Sequence, residues 1–134
     1  MNTKLGKSLI FTAGLINTLT FTTILFIPGW FFINIGHFMP FNRHYMGDLG
    51  AFMLPLAIAL MWASRDPERH RAWIIAWGAS TFLHLLNHAY DAGFNGLLHS
   101  SHWVLDIVPL VFLVLVILVP LLLKPQPVVA VANK

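Results

Sequence analysis

Apolar residues run along this chain in four long stretches, separated by short polar or proline- and glycine-bearing segments. The stretches cover about 5–27, 45–63, 72–90 and 103–123, each close to the roughly 20 residues that cross a hydrocarbon core of about 30 Å. Val111 to Leu123 is unbroken apolar sequence, so the polar and apolar alternation of a membrane β-barrel strand is missing. Backbone groups in lipid must be satisfied inside the span, and the pattern therefore predicts helices. The third helix is expected to start before its apolar run, giving 67–90. In Asp66-Pro67-Glu68 the aspartate can cap a helix whose first residue is proline and whose first turn carries an acid. The expected fold is all-α: a polytopic membrane four-helix bundle forming one transmembrane domain over 1–134. Pro55, Pro109 and Pro120 fall inside predicted helices, where each removes a backbone hydrogen bond and is expected to kink or loosen its span. Gly47, Gly50, Gly78 and Ala79 are expected to let helices approach closely.

Composition agrees with a membrane protein. Of 134 residues 57% are hydrophobic and 10% charged, where a soluble domain carries about 25% charge. The 11 Phe, 5 Trp and 2 Tyr, with no charge-rich tract, exclude a disordered chain. The absence of cysteine removes disulfides, thiolate metal sites and cysteine nucleophiles together. Lys4 and Lys7 precede the first apolar run as in a signal peptide. The run is longer than the usual h-region of about 7–15 residues, and Ile27-Pro28-Gly29-Trp30 follows in place of a cleavage site, so a permanent helix is expected.

The eight Lys and Arg are scattered and make no phosphate-binding patch, so no nucleic-acid partner is expected. They are informative about topology. Lys4, Lys7, Arg65, Arg69, Arg71, Lys124 and Lys134 fall on one side of a four-span arrangement and only Arg43 on the other. By the positive-inside rule both termini are cytoplasmic. His37, His44, His84, His88, His99 and His102 then map to the outer side, with Asp48, Asp91 and Asp106. Ionisable groups in a span are expensive and are functional candidates by default.

Thr81, His84, His88 and Asp91 are spaced by three, four and three residues, which places them on one helical face. Asn87 stands beside that stripe, Asp48 near the start of the second helix and Asp106 near the start of the fourth. The candidate ligand-binding set is Asp48, His84, Asn87, His88, Asp91, His102 and Asp106. Three readings are open. The polar groups can hold the helices together by hydrogen bonds. They can head a pocket for an amphipathic molecule such as a lipid or quinone. His84, His88 and Asp91 can also ligate a divalent metal, since His-x-x-x-His on a helix directs two imidazoles at one point. Histidine-box di-iron chemistry and bis-histidine haem fit poorly, the first for too few histidines and the second because His84 has no histidine at its depth on another helix. A hydrolase built on His99, Ser100, Ser101, His102 and Asp106 lacks a strained nucleophile turn. Trp30, Phe31, Phe32, Phe38 and Phe41 between the first two helices read as an interfacial belt, or as a lid over the cluster. Arg65 to Arg71 reads as a positive-inside loop, with an anionic-lipid surface as the weaker alternative.

Arg43-His44-Tyr45-Met46-Gly47-Asp48-Leu49-Gly50-Ala51-Phe52 resembles the start of the second helix in small bacterial DoxX-like membrane proteins. His84-Leu85-Leu86-Asn87-His88-Ala89-Tyr90-Asp91 resembles the histidine-rich third helix of that group's uncharacterised branch. The resemblance implies a four-helix bundle in the bacterial inner membrane. Named members are linked to quinone-coupled thiosulfate oxidation or redox-stress complexes, and the lack of cysteine argues against thiol chemistry here. The expected function is a binding or accessory subunit, for an amphipathic small molecule or a partner membrane protein, acting through the outer cluster. The alternative is a metal-dependent or quinone-linked membrane redox enzyme using the same residues.

Overall fold

The computed structural model describes residues 2–36, 39–94, 104 and 107–123, and every regular element among them is helical. In chain order these are α1 (Lys4–Phe26), the single turn α2 (Pro28–Phe31), a π-helical turn (Phe32–Gly36), α3 (Arg43–Ala63), α4 (Arg71–Phe94) and α5 (Val108–Leu122).

Local chemistry explains the boundaries. The Thr3 hydroxyl accepts from the Gly6 amide at 2.9 Å and opens α1. Pro28 then takes the first position of α2, where a missing N–H costs nothing. Asn42 accepts from the Tyr45 amide at 3.0 Å, so α3 starts at Arg43, two residues before its apolar run. Four of the five threonines of α1, Thr18, Thr20, Thr22 and Thr23, return their hydroxyls to carbonyls of the helix itself. Thr18 donates to Gly14 O and Thr22 to Thr18 O, each at 2.7 Å, and the buried Asn17 amide donates to Ala13 O at 2.8 Å. A helix whose side-chain donors return to its own carbonyls can meet an apolar surrounding without unsatisfied groups.

Two expectations are corrected. The capping turn at Asp66 forms, with its carboxylate accepting from the Arg69 amide at 3.4 Å, but α4 begins at Arg71 and not at Pro67. The turn closes through a three-residue bond from Arg71 N to Glu68 O, which winds it tighter than an α-helix. Pro109 is the second residue of α5, a first-turn position where proline is tolerated. Pro55 and Pro120 do lie inside α3 and α5. Of the fourth predicted span, 103, 105 and 106 lie outside the described residues.

The tightest packing joins α1 and α3. A Cβ added at Gly14 would stand 2.5 Å from the Met61 backbone, and one at Gly50 would stand 2.8 Å from the Leu25 backbone. The partners run in opposite directions along the two helices, which makes the pair antiparallel. On each helix the two contacts are 11 residues apart, about three turns, so they share one face. Gly78 approaches Ile117 of α5, whereas a Cβ at Gly47 would meet nothing within 4 Å and Ala79 is exposed. Gly14, unmarked in the sequence, makes the closest of these approaches.

One core joins the four long helices: Ile10 and Ala13 of α1, Ala57, Leu60 and Ala63 of α3, Ile74 and Trp77 of α4, and Leu113, Val116 and Ile117 of α5. The packing order is α3–α1–α5–α4, and α3 and α4 share little contact beyond the turn that joins them. Among the described residues the bundle is therefore open on its α3–α4 side. The small face of α3 is taken by α1, leaving Phe52, Leu56, Ile58 and Trp62 exposed.

Apolar surface dominates the outside. Helices α1 and α3 are long and apolar enough to cross a membrane, yet only 28% and 22% of their most apolar windows are buried. Lys4 and Lys7 lie at the same end of the molecule as the turn carrying Arg65, since the Lys7 ammonium donates to the Arg65 carbonyl at 2.9 Å. Arg43 lies at the opposite end of α3.

Candidate functional site

The far half of α4 carries the polar stripe seen in the sequence. Toward the basic end the helix buries Ile74, Trp77, Gly78 and Thr81, and the Thr81 hydroxyl donates to Trp77 O at 2.9 Å. Beyond Thr81 this changes: from Phe82 to Asp91 no residue is fully buried. Phe82, Leu83, Leu86 and Tyr90 are exposed alongside His84 and Asn87, while His88 and Asp91 are half-buried.

One turn of helix brings His84 and His88 together. Their Nε2 atoms are 2.9 Å apart, with ring centroids at 4.7 Å and the planes inclined at 58°. With both rings neutral, one Nε2–H donates to the bare Nε2 of the other, so the two must be opposite tautomers. The same geometry nearly matches a chelate. Two nitrogens bound at about 2.0–2.1 Å in a tetrahedral shell stand about 3.3 Å apart, a little wider than the observed pair.

The other members of the predicted set are placed differently. Asp48 is on α3, its carboxylate 3.5 Å from His44 Nε2 one turn away, with both side chains exposed. The open α3–α4 side is the reason that Asp48 does not join the histidines. Asn87 is exposed next to the pair, and Asp91 follows His88 along the stripe. His102 and Asp106 lie outside the described residues, as do His37, His99, Lys124 and Lys134. Among the described residues no three His, Asp or Glu side chains converge on a common metal position. The histidine pair, assembled by one turn of α4, is thus the part of the candidate site that comes together among the described residues.

Between α1 and α3 the aromatic segment folds on itself. Phe32 and Phe41 lie 5.0 Å apart, tilted by 53°, and the Asn34 amide donates to Trp30 O at 2.8 Å. Trp30 is 50% exposed, as an interfacial aromatic would be.

No family model matches the chain, and neither does any curated protein or solved structure.

Proposed function

We propose that this chain is a polytopic protein of the cytoplasmic membrane, with its N-terminal end and its α3–α4 turn inside. In this reading it serves as a binding or accessory subunit through the outer half of α4. One observation carries the reading: Phe82 to Asp91 holds two histidines and Asn87 among large apolar side chains, with nothing in the segment fully buried. Polar side chains within a membrane span are costly unless they meet polar groups. A cover that matches it needs a polar group opposite the histidines and apolar surface around them. An amphipathic lipid or quinone, or a polar-bearing helix of a partner membrane protein, meets both needs.

A photoreactive residue at Leu86 tests this in whole membranes, with the same residue at Leu19, on the exposed face of α1, as the reference. Position 86 is expected to yield one dominant adduct and position 19 the bulk phospholipid distribution. Identical adduct patterns at the two positions would sink the reading.

The sidedness is supported by the bond from Lys7 to Arg65 O, which gathers the basic residues of two segments at one end. A reporter fused after Lys134 is expected to be active only when it needs the cytoplasm. Activity confined to the outer side would reverse the topology.

A second reading is favoured by the His84–His88 distance itself. The pair can supply two imidazoles to a divalent metal in a membrane redox enzyme, with the remaining ligands from water or from elsewhere.

A further inference from the structure

At the opposite end of the molecule a groove of about 130 Å³ lies between α1 and α3, lined by Phe11, Ile58, Met61 and Trp62 and closed by Ser64 and Arg65. Its walls are apolar and outward-facing: Phe11 is 46% exposed, Ile58 45% and Trp62 59%. Its rim is cationic. The Arg65 guanidinium lies 3.9 Å above the Trp62 ring, and the Lys7 ammonium reaches the Arg65 carbonyl. Among the described residues neither cation is paired with a carboxylate. The nearby acids have other work, Asp66 capping the turn at the Arg69 amide and Glu68 lying 3.8 Å from Arg71.

We propose that this groove is a site for an anionic phospholipid of the inner leaflet, its acyl chain along Phe11, Ile58 and Trp62 and its phosphate between Lys7 and Arg65. The proposal rests on the membrane reading above but uses none of the α4 residues. Charge complementarity selects the occupant. A zwitterionic lipid brings its own cation to a rim that already holds two, and a free anion has no use for an apolar wall. Stacking on Trp62 holds the guanidinium over the groove, and this contact gains strength where water is scarce.

The test compares the full-length protein in nanodiscs of phosphatidylcholine with and without phosphatidylglycerol, reading the thermal midpoint and the lipid retained in native mass spectrometry. Phosphatidylglycerol is expected to raise the midpoint and to remain bound. The pair Lys7→Gln with Arg65→Gln is expected to reduce that retention at least tenfold. Ile58→Trp, which keeps both cations and fills the groove, is expected to do the same. Equal retention of the two lipids by the unsubstituted protein overturns the site, as does unchanged retention in Ile58→Trp or an equal midpoint shift from inorganic phosphate. Retention in carbonate-washed membranes is scored separately. A chain that stays in the membrane without discriminating between lipids loses this site and not its membrane assignment.

Discussion

Gly14→Leu is expected to destabilise the protein by about 3 kcal/mol, the upper end of what overpacking a close contact costs. The cause is the α1–α3 seam. A single Cβ at Gly14 already falls 2.5 Å from the Met61 amide nitrogen and Cα, and backbone atoms within a helix cannot rotate away as a side chain would. The helices must move apart, which loosens the packing of Ile10, Ala13, Ala57 and Leu60 around the contact. Gly14→Ala is expected to show the same sign at smaller size, because alanine regains about 1 kcal/mol of helix propensity over glycine. Gly50→Leu, against the Leu25 backbone at 2.8 Å, should behave like Gly14→Leu. Both clashes are relieved by the same separation of α1 from α3, so the double variant should cost less than the sum of the two. Gly47→Ala is the control: with nothing within 4 Å of the added Cβ, only the propensity gain remains, and the variant should match or exceed the parent. Unfolding in detergent, followed by far-UV circular dichroism, measures all four. An unchanged midpoint for Gly14→Leu would contradict the seam itself.

Copper or zinc titrated into the detergent-purified protein should bind at one equivalent, and His84→Ala or His88→Ala should weaken that binding at least about tenfold, the scale on which losing even an outer-shell partner of a metal ligand is felt. The expectation follows from the Nε2–Nε2 distance of 2.9 Å, which lets both rings turn toward one ion with a movement of tenths of an ångström. Copper should bind more tightly than zinc. Asn87→Ala should leave the affinity unchanged, since that residue flanks the pair without being either of the paired imidazoles. His44→Ala asks whether the exposed His44–Asp48 pair competes for the ion, and it should lower the stoichiometry at most at excess metal. If the protein carries no stoichiometric metal, and the double variant of His84 and His88 binds as much as the parent, the metal reading is finished. The ligand-binding reading of α4 would survive that result.

The residues show clearly where local and tertiary information part. The stripe Thr81, His84, His88, Asp91 was legible because helical spacing alone places such residues on one face. The bond between the histidines follows from the same four-residue offset. Asp48 could not be assigned by that route. Whether it meets the histidines depends on whether α3 packs against α4, and no spacing within either helix contains that fact. Gly14 shows the same limit from the other side. Glycine in an apolar helix has several possible causes, and only the Met61 backbone opposite it identifies which applies. Pro67 lies in the turn before α4 and Pro109 in the first turn of α5, each away from its expected place for one physical reason: proline is tolerated in a turn and in a first helical turn alike, and sequence cannot say where a turn ends and a helix begins. The cationic rim at Arg65 is legible along the chain, but the apolar wall beneath it is not, because that wall is shared by residues more than 40 positions apart.

What the sequence determined by itself is what short-range physics controls: helices in place of strands, apolar runs at α1 and α3 long enough to span, the capping turn at Asp66, and the polar stripe of α4. The tertiary structure decided which helices are neighbours. It set α1 against α3 through Gly14 and Gly50, placed α5 between α1 and α4, and left the α3–α4 side open. In a chain that is apolar on nearly every face, hydrophobicity does not distinguish one face from another. The choice falls to steric fit, which depends on pairs of residues far apart in the chain.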